Sequence, residues 1–213
     1  MNKDIYDPIL VAGPPRCGST MVTGLFIKHG VWVGECKITR HAQTNSLIGT
    51  ENTAIKKGLK SMLGNYKNWN VPLPDLKPTG DTVDKLKSLI DDIAPRETPW
   101  IVKTSNLLLT WQAWHKLFPN ATWIFPRRDS EQIIESVKRH PVMGKRSDNQ
   151  IRKFIESLIE RQNKVYASVP YGYMLDVPKL VRTRNGKDVM SFAGLKYNFR
   201  IGVAWIKPEM FHG

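Results

Sequence analysis

The chain has 213 residues, 41% of them hydrophobic, which is the length and apolar content of one ordinary domain with its own core. Its 32 Lys and Arg against 19 Asp and Glu give a formal charge of +13, a balance that suits an anionic partner such as nucleic acid, a membrane surface or a multiply phosphorylated nucleotide. Two cysteines, Cys17 and Cys36, are too few for a disulfide framework or a cysteine-based zinc site, and apolar runs such as Ile9 to Ala12 fall far short of the ~20 residues of a membrane span.

The opening MNKDIYDP has no signal-peptide apolar core, so the expectation is a soluble, cytoplasmic protein. Pro8 to Ala12 reads as a buried strand, followed by a Gly/Pro-rich turn, a helix from about Gly18 to His29 and a short strand at Val31 to Val33. The polar stretch from Glu35 to Pro99 carries prolines and two helical patterns, near Ala54 to Leu63 and Thr82 to Ile93. Regular alternation then resumes: strand Trp100 to Lys103, helix Asn106 to Leu117, strand Thr122 to Pro126, helix Ser130 to Arg139. An amphipathic helix from about Asn149 to Ala167, a strand at Tyr173 to Val177 and a terminal helix near Lys187 to Ala193 complete the pattern. Apolar strands alternating with helices predict an α/β three-layer sandwich around a mostly parallel sheet, with residues 1–213 forming one domain.

Two segments carry the chemistry. Gly13-Pro14-Pro15-Arg16-Cys17-Gly18-Ser19-Thr20 follows a strand and opens a helix, where backbone N–H groups and the helix dipole favour an anion. It has the glycine spacing of a phosphate-binding loop, but Ser19 stands where a nucleoside triphosphatase carries lysine, and the positive charge sits earlier, at Arg16. The segment from Trp123 to Ser136 again ends a strand in cations, Arg127 and Arg128, and begins a helix with Asp129 as N-cap and Gln132 three residues on. Arg128 reaches back from the strand end while Ser136 lies about two turns into the helix, so the two can converge on one phosphate.

Taken together the two segments resemble the sulfotransferase family. Pro15, Arg16, Cys17, Gly18, Ser19 and Thr20 match its first motif, and Arg128 and Ser136 match its second. Between them Lys103-Thr104 is similar to the family's strand-end pair, and Phe192 to Tyr197 resembles its closing helix more loosely. The resemblance implies a phosphate-loop-related fold and in-line transfer of a sulfuryl group from 3'-phosphoadenosine 5'-phosphosulfate (PAPS) to an acceptor hydroxyl or amine, leaving 3'-phosphoadenosine 5'-phosphate (PAP). The first motif would hold the 5' end, with Arg16 and Lys103 on the leaving phosphate, and the second the 3'-phosphate. No metal is expected, because a transferred sulfuryl group carries less charge than a phosphoryl group.

The acceptor needs a general base within hydrogen-bond reach. One branch of the family places histidine after the lysine-threonine pair; here it is Ser105, which cannot take that proton at neutral pH. Other branches use a glutamate, and Glu35 and Glu51 both fit, with His41 a weaker third. Residues 39–99 are expected to form a variable insertion on the acceptor side; the acceptor itself, whether sugar, lipid, peptide or small molecule, stays open. A helix N-terminus lowers a thiol pKa, but Cys17 has no paired histidine and is not read as a nucleophile. Trp69, Trp111, Trp114 and Trp123 are read as core ahead of adenine stacking. Two other readings compete: a P-loop kinase of a small metabolite, and a basic nucleic-acid-binding module, of which no recognised motif is present.

Overall fold

The computed structural model describes residues 6–36, 39–40, 47–48, 50–64, 66, 69–95 and 97–208. Four strands, β1 (Ile9–Val11), β4 (Ile101–Lys103), β5 (Thr122–Arg127) and β6 (Gly172–Asp176), form a sheet in the order β4-β1-β5-β6 with every pairing parallel. Their side chains alternate between two cores. Leu10, Ala12, Val102, Trp123 and Phe125 face one, while Ile9, Val11, Ile101, Ile124 and Leu175 face the other. Both faces of the sheet are thus covered, which is why these strands read as continuous apolar runs although each still obeys a two-residue period.

On the first face lie α2 (Thr53–Met62), α3 (Gly80–Asp91), α4 (Leu107–Leu117), α5 (Ser130–Lys138) and α6 (Asp148–Ser168), whose buried residues merge into one cluster. On the second lie α1 (Ser19–Lys28), α7 (Val177–Thr183) and α8 (Lys187–Phe192), joined by α9 (Phe199–Trp205). A separate antiparallel pair, β2 (Thr39–Arg40) with β3 (Leu47–Ile48), lies within the 39–99 segment. Among the described residues no helix is long and apolar enough to cross a membrane.

Caps set where several elements begin. Ser147 and Gln150 form a reciprocal capping box at the start of α6. Asp129 accepts the Gln132 N–H at α5, whereas the Gln132 side chain turns away from the cap toward Arg128. Buried Gln162 donates through Nε2 to the carbonyl of Pro126 at 3.1 Å, fastening α6 to the end of β5 beside the second motif.

Three sequence expectations are corrected. The strand at Val31 to Val33 shrinks to one parallel bridge, Trp32 with Trp100, because only the Trp32 N–H and C=O reach the edge of β4. The strand at Tyr173 to Val177 ends at Asp176, which caps α7 by accepting the Lys179 N–H. The helix near Lys187 to Ala193 is not terminal, since α9 follows and docks on α1 through Trp205.

That docking rests on a glycine. A Cβ at Gly24 would stand 2.0 Å from the Trp205 ring, whose Nε1 donates to the Met21 carbonyl at 2.8 Å. Gly24→Ala would gain about 1 kcal/mol in helix propensity, but displacing the indole costs more. The expected outcome is a net loss of about 1–3 kcal/mol, read as a lower Tm; a raised Tm would contradict the packing.

Candidate functional site

β1 delivers the chain into the turn Gly13 to Gly18, and α1 leaves from it. Gly18 has φ +94°, and a Cβ there would meet Val177 Cγ1 at 2.6 Å, so backbone conformation and packing against α7 both demand glycine. Arg16 also lies in the left-handed region, at φ +66°, which costs an L-residue roughly 1–2 kcal/mol. α1 starts without a side-chain cap or an acidic residue in its first turn. The helix start thus carries no carboxylate of its own to compete with an anion, although the Ser19 N–H is already turned to the Cys17 sulfur.

The second motif meets this turn. Arg128, 7% exposed, donates through Nη1 to the Arg16 carbonyl at 3.3 Å and through Nε to Gln132 Oε1 at 3.2 Å. Ser136, 3% exposed on α5, accepts from Arg16 Nε at 3.0 Å. Burial, and then the field of Arg139, depresses the proton affinity of Arg16; burial, and then Arg16 and Arg139, depresses that of Arg128. Both guanidinium groups keep their charge at any ordinary pH. Arg128 buried, Arg16 half-buried and Arg139 exposed thus lie in one another's field, a place where a phosphate-like anion is favoured by charge and by donor count.

On the other side of the turn, Lys103 at the end of β4 donates from Nζ to Glu51 Oε1 at 3.0 Å, and Lys56 of α2 bonds the other carboxylate oxygen. Burial pushes the Glu51 carboxyl up, but the two lysines outweigh it and hold the group below the usual carboxylate range. Backbone pairing joins the segments that carry Glu35 and Glu51 and sets Glu35 opposite Thr53. Cys36 bridges Asn52, the Glu35 carbonyl accepts the Thr53 N–H at 3.0 Å, and buried Asn52 ties Val33 to the start of α2. The Glu35 side chain is exposed and has no partner among the described residues. Thr104, beside Lys103, is buried and accepts the Asn106 N–H, a role in the turn into α4.

The structure therefore gathers Arg16, Gly18, Ser19, Thr20, Lys103, Glu51, Arg128 and Ser136 around one turn, with Pro15 and Cys17 shaping it. Cys17 is fully buried, and burial pushes its thiol up, outweighing the hydrogen bonds from Ser19 and the field of Lys103; the lowering expected at a helix start does not occur. Trp111, Trp114 and Trp123 are core, and Trp69 packs on Phe154 with ring centroids 4.5 Å apart. His41 lies outside the described residues. Sequence reasoning missed Lys56 and Arg139; the signal for Arg139 was its place one helical turn after Ser136. Among the described residues, no three His, Cys, Asp or Glu side chains group as metal ligands.

An all-parallel sheet whose first strand runs through a glycine turn into a helix, with arginines and a lysine gathered at that turn, defines an α/β protein with a cationic site at the end of its first strand. The Sulfotransferase family model matches residues 8–177, and the chain belongs to that family, enzymes that transfer sulfuryl groups. Its fold is similar to that of sulfotransferase STF1 from Mycobacterium tuberculosis H37Rv (TM-score 0.64, 15% identity, covering 96% of this chain and 72% of that one). It is also similar to sulfotransferase STF9 from Mycobacterium avium (TM-score 0.55, 13% identity, 95% and 67% covered). A third likeness is to the sulfotransferase domain of the Synechococcus PCC 7002 olefin synthase (TM-score 0.56, 15% identity, 94% and 77% covered). No curated protein sequence matches the chain.

Proposed function

We propose that this sulfotransferase takes its sulfuryl group from PAPS and passes it in line to an acceptor hydroxyl or amine, without a metal ion. The observation that supports the reading is the meeting of the two motifs, in which Arg128 holds the backbone of the Arg16 turn and Arg16 holds Ser136. A donor carrying phosphate groups at both its 5' and 3' ends fits cations placed on both sides of one helix start. The nucleotide supplies the sulfuryl group, and the chain's own residues do the rest. The first amides of α1, with the Ser19 and Thr20 hydroxyls, bind the 5' end. Arg128 and Ser136 bind the 3'-phosphate.

Lys103 is the cation for charge that develops on the leaving oxygen, an interaction that strengthens as the bond to sulfur lengthens. Glu51 accepts the acceptor's proton at a carboxylate oxygen. It is favoured over Glu35 by its contact with Lys103. The 39–99 segment supplies the acceptor side, and an open cleft lined by Tyr66, Trp69, Asn70, Pro72, Gln150 and Lys153 lies between it and α6.

The test is calorimetric titration with PAP and with ATP, each with and without chelator. PAP is expected to bind roughly 10–100-fold more tightly than ATP, the worth of one or two charge-assisted hydrogen bonds to the 3'-phosphate, and to be indifferent to chelation. Equal affinities, or a need for magnesium, would overturn the donor assignment and favour a kinase.

A further inference from the structure

Glu51 and Lys103 stand 52 positions apart, yet a short path of contacts leads from one back to the other through β4. Trp32 is fixed to that strand by its backbone. Its N–H donates to the Pro99 carbonyl at 2.9 Å, and its own carbonyl accepts from the Ile101 N–H at 2.9 Å. One residue on, the Val33 carbonyl accepts from Asn52 Nδ2 at 3.2 Å, while Asn52 Oδ1 accepts the Ile55 N–H at 3.0 Å and caps α2. Asn52 is 5% exposed, and the adjoining turn is built around its amide. Gly34 has φ +74°, and a Cβ there would run into Asn52 Nδ2 and the Trp32 ring. Glu51, the residue before Asn52, reaches from this anchor to Lys103, two residues beyond Ile101, and so closes the path on the strand where it began.

We propose that Asn52 is a positioning residue for the reaction: its amide ties the start of α2 to the edge of β4 and thereby sets the Glu51 carboxylate against Lys103. The inference rests on the reading of Glu51 as the general base. A primary amide suits the task because it offers donor and acceptor at once, one for each of the two segments it joins. Lys56 cannot do the same. It lies on α2, five residues after Glu51, so its ammonium moves with the carboxylate and leaves the distance to β4 open. The backbone bond from Thr53 to Glu35 and the bridge of Cys36 with Asn52 lie beyond Gly34, and that glycine is a joint between them and Trp32. Asn52 spans the joint by holding Val33, on the β4 side of it. A base displaced by about 1 Å can lose on the order of a hundredfold in rate, so a tie at this point bears on the chemistry. Among the described residues, the charged or titratable groups in the field of Glu51 are Lys103 from β4, Lys56 from α2 and Cys36 from the paired segment.

The experiment is a carbon-13 NMR pH titration of the glutamate side chains in the wild type, Asn52→Ser and Lys103→Ala, with the Glu51 signal assigned by its absence from Glu51→Gln and melting curves to confirm folding. Serine caps a helix about as well as asparagine, but its short hydroxyl gives up the Val33 carbonyl. In the wild type Glu51 is expected to titrate below the usual carboxylate range. In Asn52→Ser its titration should move up, because the carboxylate is no longer held at the ammonium. Lys103→Ala should move it up as well, and adding Asn52→Ser to Lys103→Ala should raise it no further, since the amide acts through the lysine contact. A Glu51 titration in Asn52→Ser that matches the wild type, even with a lower melting temperature, would reduce Asn52 to a cap and overturn the inference. So would a further rise in the double variant. Full turnover by Glu51→Gln would instead sink the reading of Glu51 as the base, and this inference with it.

Discussion

Glu51→Gln is expected to lower kcat about 100- to 1000-fold, the range for removing a general base, with nucleotide affinity changed less than about threefold. Glutamine keeps the shape and its one amide oxygen can still accept from Lys103 or Lys56, with the NH2 turned to the other, so the loss reports chiefly on the proton-accepting step. The pH dependence follows from the depressed carboxyl. Lys103 and Lys56 stabilise the charged form, so Glu51 stays ionised through neutral pH, and activity should fall only as pH drops below the usual carboxylate range. The same sign governs stability. A carboxyl with a folded-state pKa below its unfolded value contributes stability that is present above the unfolded pKa and lost as pH falls through the folded one. Glu35→Gln is the companion variant. A loss there with Glu51→Gln intact would move the base to Glu35, and full activity in both would remove carboxylate catalysis from the mechanism.

Arg128→Ala is the second large effect, an expected loss of roughly 100- to 1000-fold in PAP affinity from two charge-assisted interactions. One is the proposed contact with the 3'-phosphate. The other is the hold on the Arg16 carbonyl, which keeps a strained turn in place. A second partner, Gln132, is exposed and can return to water, and the loss of stability is expected to be smaller than the loss of binding. Calorimetry paired with thermal unfolding checks this. PAP affinity within about twofold of the wild type would mean that Arg128 serves only the fold.

What the sequence shows plainly is whatever is local. The runs into Gly13 to Thr20 and Asp129 to Ser136 pair an apolar strand with cap and turn chemistry over about a dozen residues, and both appear in the structure at nearly the expected bounds. Short elements held by distant contacts are the ones that hide. α7 and α9 have seven residues each, too few for propensity to declare them, and they exist because they dock. The strand expected at Val31 to Val33 fails for the same reason in reverse, being apolar in sequence but reaching a neighbour at one residue. Within the site, the first and second motifs are separately visible, but the Arg16–Ser136 bond spans 120 positions and the Lys103–Glu51 pair 52. Nothing in the pattern of either segment tells which cation meets which partner, and so Glu35 and Glu51 stand level until the Lys103 contact is known.

The packing of Trp205 over Gly24 ties two events that look unrelated. α1 carries the turn at its start and α9 across its middle, so the helix that leaves the turn is braced by α9 on its outer side, away from the sheet's other face. Coupling of this kind is reciprocal. An anion bound at the turn should slow amide exchange in α9, and a change that loosens α9 should weaken binding at a turn it never touches. Donor affinity thereby becomes a reporter on a helix about 180 positions further along the chain.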